Sequence, residues 1–150
     1  MRRAKIGDYF TKVIEDEEYT IQFVFKDKID GSYFRVFKGN GVKHANLIID
    51  NFGLPLLQAQ KTGGWVFAGT SDPGNVEFGP ILGFDSVYPT DWYLIKGKSK
   101  IPLGETVPEC YRQLTVIGVY GSDVLDHFLT TGENKYSYEK WMEYKEKFGK

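Results

Sequence analysis

Apolar and polar residues alternate most regularly near the start of the chain. Over residues 19–26 (YTIQFVFK), Tyr19, Ile21, Phe23 and Phe25 fall on one side and Thr20, Gln22, Val24 and Lys26 on the other. A period of two predicts a half-buried strand. Residues 7–14 (GDYFTKVI) and 33–37 (YFRVF) read as strands on either side of it, separated by the charged turn Glu15-Asp16-Glu17-Glu18 and by Asp30-Gly31. The three predict an antiparallel meander. His44 to Asp50 fits a strand or one helical turn, and 51–64 reads as irregular because Gly53, Pro55 and Gly63-Gly64 interrupt it. Further strands are expected at 65–70, at 92–96 and, Val-rich and central, at 113–120. Lys96 to Lys100 reads as a basic turn.

The period then changes. Ser122 fits an N-cap with Asp123 in the first turn, and Val124, Leu125, Phe128 and Leu129 follow at helical spacing until Gly132. A second helix is expected from about Ser137, with Tyr138, Trp141, Tyr144 and Phe148 on one side and Glu143–Lys147 as an i,i+4 pair. The pattern predicts an α+β fold: one domain over 1–150, mainly an antiparallel sheet or partial barrel (5–120) with two C-terminal helices (121–148).

Composition sharpens the picture at one place. Aromatics make up 16% of the chain, which favours pleated surfaces. Seven of them lie in 65–93: Trp65, Phe67, Phe78, Phe84, Tyr88, Trp92 and Tyr93. The net charge is −1, but its distribution is uneven. Residues 1–50 and 96–150 each hold nine basic and eight acidic residues, whereas 51–95 hold one basic and four acidic. A locally acidic, aromatic stretch suits a basic protein partner, because Tyr and Trp anchor interfaces and carboxylates steer cations. The expected partner-binding residues are therefore Trp65, Asp72, Glu77, Asp85, Tyr88, Asp91 and Trp92. For any single ring, the competing expectation is burial in the core.

Candidate chemistry is sparse. His44 lies six residues before Asp50, a pairing that could serve as a general base, whereas His127 reads as a helix-surface residue. The one cysteine, Cys110, has no nucleophile signature and allows no internal disulfide, which suits a reducing compartment. One Cys and two distant His do not make a zinc cluster, and Asp123 and Asp126 read first as residues favoured by the helix dipole. Gly39-Asn-Gly41 and Gly97-Lys98-Ser99 each lack the full phosphate-loop spacing. No catalytic, cofactor or metal residues are assigned. No apolar run approaches the roughly 20 residues that span a bilayer, and the N-terminus lacks a signal-peptide core, so a cytoplasmic location without membrane contact is expected.

The order of features resembles the immunity protein 26 family of bacterial polymorphic-toxin systems. The resemblance is carried by Lys5-Ile6-Gly7-Asp8-Tyr9-Phe10, the charged turn and YTIQFVFK. It continues in Asp91-Trp92-Tyr93-Leu94-Ile95, with Lys96 intervening before Gly97, then Ile101-Pro102-Leu103, Pro108 and Tyr120-Gly121-Ser122-Asp123-Val124. It implies a non-enzymatic antidote that binds and blocks a cognate protein toxin, and it brings no catalytic residues. The alternatives are a phage-encoded inhibitor of a host defence protein, and a small β-barrel ligand-binding domain or enzyme with an aromatic pocket near His44. Nucleic-acid binding is not expected unless Lys96, Lys98 and Lys100 join Arg2, Arg3 and Lys5 in one patch.

Overall fold

The computed structural model describes residues 3–27, 31–74, 80–84, 91–96, 99–117 and 120–148. The chain divides into two compact units, each assembled from two separate stretches: Met1–Val76 with Val119–Glu133, and Glu77–Gly118 with Asn134–Lys150.

The first unit is built on a five-stranded antiparallel sheet. Its strands are β1 (Asp8–Ile14), β2 (Glu17–Asp27), β3 (Gly31–Lys38), β4 (Leu47–Phe52) and β5 (Val66–Thr70), ordered β4-β3-β2-β1-β5. The expected meander is therefore present as β1, β2 and β3. The β1–β2 turn has two residues, Glu15 and Asp16, both at positive φ (49° and 67°). This left-handed pair matches the twist of the flanking strands. The stretch 44–50 supplies both expected conformations in turn: one 3-10 turn at His44–Asn46, then β4.

Strand β2 departs from the half-buried expectation. Its second face is covered as fully as the first: Thr20, Gln22 and Val24 are as buried as Tyr19, Ile21 and Phe23. Alternation of residue type marks two chemically different covers rather than one wet face. On one face lies α2 (Ser122–Thr131), tied down by an ion pair of 2.6 Å from Lys12 on β1 to Asp126. Tyr19, directly opposite Lys12 in the ladder, donates to the Leu129 carbonyl, and Tyr120 packs edge-on against Phe34. On the other face, the Thr20 hydroxyl donates to the Gly39 carbonyl and accepts from the Gly41 amide, and the Gln22 amide donates to the carbonyls of Gly7 and Ser71. Backbone loops thus supply the partners of the two polar side chains on this face, Thr20 and Gln22.

Two other elements differ from expectation. The stretch 51–64 contains a short helix, α1 (Leu56–Lys61), which starts directly after Pro55 and buries Leu56 and Ala59. A proline just before the first turn is compatible with a helix start. The described residues of 113–120 do not form a central strand. Among the segment's described residues only Thr115 and Val116 make isolated bridges, Val116 to Leu82 and Thr115 to Ser137. Its backbone bonds go to separate partners: Leu82 bonds the Thr115 carbonyl, Val116 the Tyr136 carbonyl and Tyr120 the Gly53 carbonyl. Its apolar content goes partly into the core, through Val116 and Tyr120, and among its described residues no single neighbour runs alongside long enough to make a ladder.

The second unit carries a three-stranded antiparallel sheet, β6 (Ile81–Phe84), β7 (Trp92–Lys96) and β8 (Ser99–Gly104), in that order. Its core gathers Leu82, Trp92, Leu94, Val107, Val116 and Tyr138, with Phe84, Leu103, Leu114 and Trp141 packed against them. Helix α3 (Tyr138–Phe148) supplies Tyr138 and Trp141. The outer strand β8 is exposed and carries Pro102, which has no backbone donor and so blunts the edge. Neither sheet closes into a barrel. The fold is α+β and mostly antiparallel, with two helices near the C-terminus as expected; α2 caps at Gly121 rather than Ser122 and ends at left-handed Gly132.

Candidate functional site

The second unit carries an open groove of about 790 Å3 between the segment 106–113 and α3. Pro108 ends the extended stretch, and Glu109–Tyr111 makes a single 3-10 turn that places Glu109 on one rim. Helix α3 makes the other rim. Its inward residues fix its rotation: Tyr138 meets Trp92 edge-on at 5.2 Å, and Trp141 lies 4.6 Å from Phe84 and 6.1 Å from Trp92. With that face held in the core, Glu139, Glu143 and Glu146, at helical spacings of four and three, line the groove beside Tyr138 and Met142. Met142 is 39% exposed, a flexible thioether at an open surface.

Charge on the lining is one-sided. Four carboxylates (Glu109, Glu139, Glu143, Glu146) face one guanidinium, Arg112, a net of −3. Arg112 is already committed: its Nε donates to the Val107 carbonyl at 2.9 Å and its guanidinium lies 5.4 Å from the centre of the Tyr138 ring. Lys140, outside the lining, reaches Glu143 at 3.8 Å. That is the neighbour found for Glu143, in place of the expected pairing with Lys147. A concave surface with one sign of charge focuses its field and concentrates cations. Chemically the groove can hold ammonium or guanidinium groups against carboxylates, with aliphatic stems resting on Met142 and Tyr138.

The residues expected from 65–93 do not form this site. Trp65 and Trp92 are each only 2% exposed, and both correct the expectation that they anchor a partner. Trp92 is held by Phe84, Tyr138 and Trp141, and Trp65 closes the first unit where α1 hands the chain to β5. In a domain this small such large rings fill cores first. Asp72 and Asp91 are exposed, Asp72 in the first unit and Asp91 in the second. The Asp72 carboxylate accepts from the Gly74 amide, a turn-forming contact. Glu77, Asp85 and Tyr88 lie outside the described residues. The signal that marks the groove, acids at 139, 143 and 146 flanking Tyr138 and Met142, lay within a helix already expected from its apolar spacing.

The general-base pairing of His44 and Asp50 is not assembled. His44 stands edge-on to Phe37 at 6.1 Å, and the Asp50 carboxylate accepts a short hydrogen bond from the Tyr33 phenol. Burial first, and then the Asp50 charge and this hydrogen bond, push the Tyr33 phenol well above its ordinary value of 10.0. His127 is exposed on α2, 3.7 Å from Glu133, and Asp126 bonds Lys12. Cys110 is exposed and free. Among the described residues no three His, Cys, Asp or Glu gather as metal ligands. No described helix is long and apolar enough to cross a membrane. No family model, curated protein or solved structure matches the chain.

Proposed function

We propose that the chain acts by stoichiometric binding, as an immunity or inhibitor protein that covers a basic surface of a bacterial toxin and turns over no substrate. The observation that carries the reading is the groove between 106–113 and α3, with its four carboxylates, its engaged arginine and its Tyr138–Met142 floor. Interfaces of this kind combine a semi-rigid apolar floor with a charged rim that steers encounter. The toxin identity of the partner rests on the sequence resemblance, and the surface that meets it rests on the groove. The binding stretch moves accordingly, from the aromatic segment 65–93 to the acids of α3 and the turn at Glu109–Tyr111.

The experiment is protection on co-expression. A toxin domain encoded beside this chain is expressed with the wild type and with Glu139→Lys/Glu143→Lys. Both acids are exposed, so the double reversal removes nothing from the core. Reversal costs about 1–3 kcal/mol of binding, roughly 10–100-fold in affinity. Wild-type cells survive and variant cells lose protection. Equal survival of both removes the groove from the account.

A further inference from the structure

The walls of the groove restrict the shape of chain that can enter it. Among the described residues, none that line the groove belongs to β6, β7 or β8, so it offers no strand edge. Helix α3 bonds its backbone along its own axis, from the Trp141 amide to the Ser137 carbonyl at 3.0 Å onward. The opposite wall turns on itself: the Tyr111 amide donates to the Pro108 carbonyl at 2.9 Å and the Arg112 amide to the Glu109 carbonyl at 3.2 Å. An extended segment laid between these walls finds no ladder. Its backbone donors and acceptors on the buried side would go unanswered, which is costly. A helix brings its own backbone bonds.

The side chains of α3 form two strips that suit a second helix. Glu139, Glu143 and Glu146 make an acidic strip, with steps of about 6 Å and about 4.5 Å along the axis. A partner helix repeats its own same-face residues at these steps, whereas a strand repeats them every roughly 6.6 Å and is out of step by the third. Alongside runs an apolar strip, Tyr138 and Met142, also four residues apart. Met142 is exposed, and its unbranched thioether adapts to a neighbouring apolar side chain. Across the groove stands Glu109, and the lining's one cation, Arg112, is held by Val107 and Tyr138. An apolar seat flanked by acids is the complement of an amphipathic basic helix.

We infer that the segment of the partner that enters the groove is a basic amphipathic helix. Its apolar stripe rests on Tyr138 and Met142. Its Lys or Arg side chains reach Glu139, Glu143 and Glu146 on one side and Glu109 on the other. This inference rests on the reading of the groove as the surface that meets a basic protein, and it names the shape of what is met.

The test titrates two peptides into the whole chain. The first, about 15 residues of Ala, Leu and Lys, is long enough to form a helix when bound. It carries Leu at i, i+4 and i+7 with Lys flanking that stripe. The second is the same peptide with its central Ala replaced by Pro, which keeps the charge and breaks the helix. The readouts are calorimetric affinity, helical circular dichroism and the Met142 methyl resonance. The first peptide should bind one to one, gain helix and shift the methyl, at least about tenfold tighter than the second. Glu139→Lys/Glu143→Lys should weaken it at least about tenfold. Met142→Gln should weaken it about threefold or more, a loss that a purely electrostatic surface would not show. Equal affinities for the two peptides, no saturable binding of the first, or binding that ignores both substitutions overturns the helix. Titration of the toxin domain against the same double reversal separately decides whether the groove meets a basic protein, so the two failures are told apart.

Discussion

Two strand glycines lie under tyrosine rings. A Cβ on Gly69 would stand 2.6 Å from the Tyr9 phenol oxygen, and one on Gly83 would stand 2.3 Å from a Tyr93 ring carbon. Each pair is directly opposed in its ladder, so the ring covers the backbone that the glycine leaves bare. Gly7 is held more strictly still: its φ is +92° and a Cβ would meet the Ser71 carbonyl oxygen at 2.5 Å. Beside it, buried Asp8 accepts from the Lys5 amide and the Thr70 hydroxyl. The Gly-Asp pair that attracted notice in the sequence is thus a clasp joining the chain start to the end of β5. Tyr33 gives a test at this scale. Its folded-state pKa lies above the unfolded value of about 10. The folded state therefore holds the proton more tightly. That contribution is whole below about pH 10 and is lost as pH rises past it toward the folded value. In denaturant titrations from about pH 9 to 11.5, the wild type should lose stability more steeply than Tyr33→Phe. Parallel curves for the two proteins would count against the burial and hydrogen bonding assigned to this phenol.

Legibility in the sequence varied by element. The meander was readable because alternation, a charged turn and strong β-formers all agreed over 7–37. The last two helices were readable from apolar spacing and from Gly132. What failed was the use of apolar content alone: 113–120 is as hydrophobic as a central strand, yet its backbone bonds are shared among Leu82, Tyr136 and Gly53. Strand neighbours are set by the whole fold and leave no mark on the segment itself. The same confusion placed Trp65 and Trp92 at a surface, since a ring meant for a core and one meant for a partner look alike in sequence. The acids of α3 were in plain view, but their meaning depends on which face of the helix Trp141 turns inward. Trp141→Ala tests that dependence. It strips the contacts to Phe84 and Trp92 from a half-buried ring, which costs roughly 2–3 kcal/mol, below the range for a fully buried Trp. Chemical denaturation checks the value, and a loss under about 0.5 kcal/mol, the size of an ordinary surface change, would mean that Trp141 does not set the rotation of α3.

Over the whole molecule, a net charge of −1 hides an uneven surface. Each compact unit draws on two stretches, and the neighbouring helices α2 and α3 serve different units. The acidic groove consequently belongs entirely to the second unit. The central claim is that the groove on α3 is where a basic protein binds. Calorimetric titration of the proposed partner, a toxin domain encoded beside the chain, into wild type and into Glu139→Lys/Glu143→Lys, at two salt concentrations, tests it most directly. The account predicts a one-to-one complex for the wild type that weakens as salt rises, and an affinity lower by roughly 10–100-fold for the variant with the salt dependence flattened. Equal affinities for the two proteins, unmoved by salt, would contradict it.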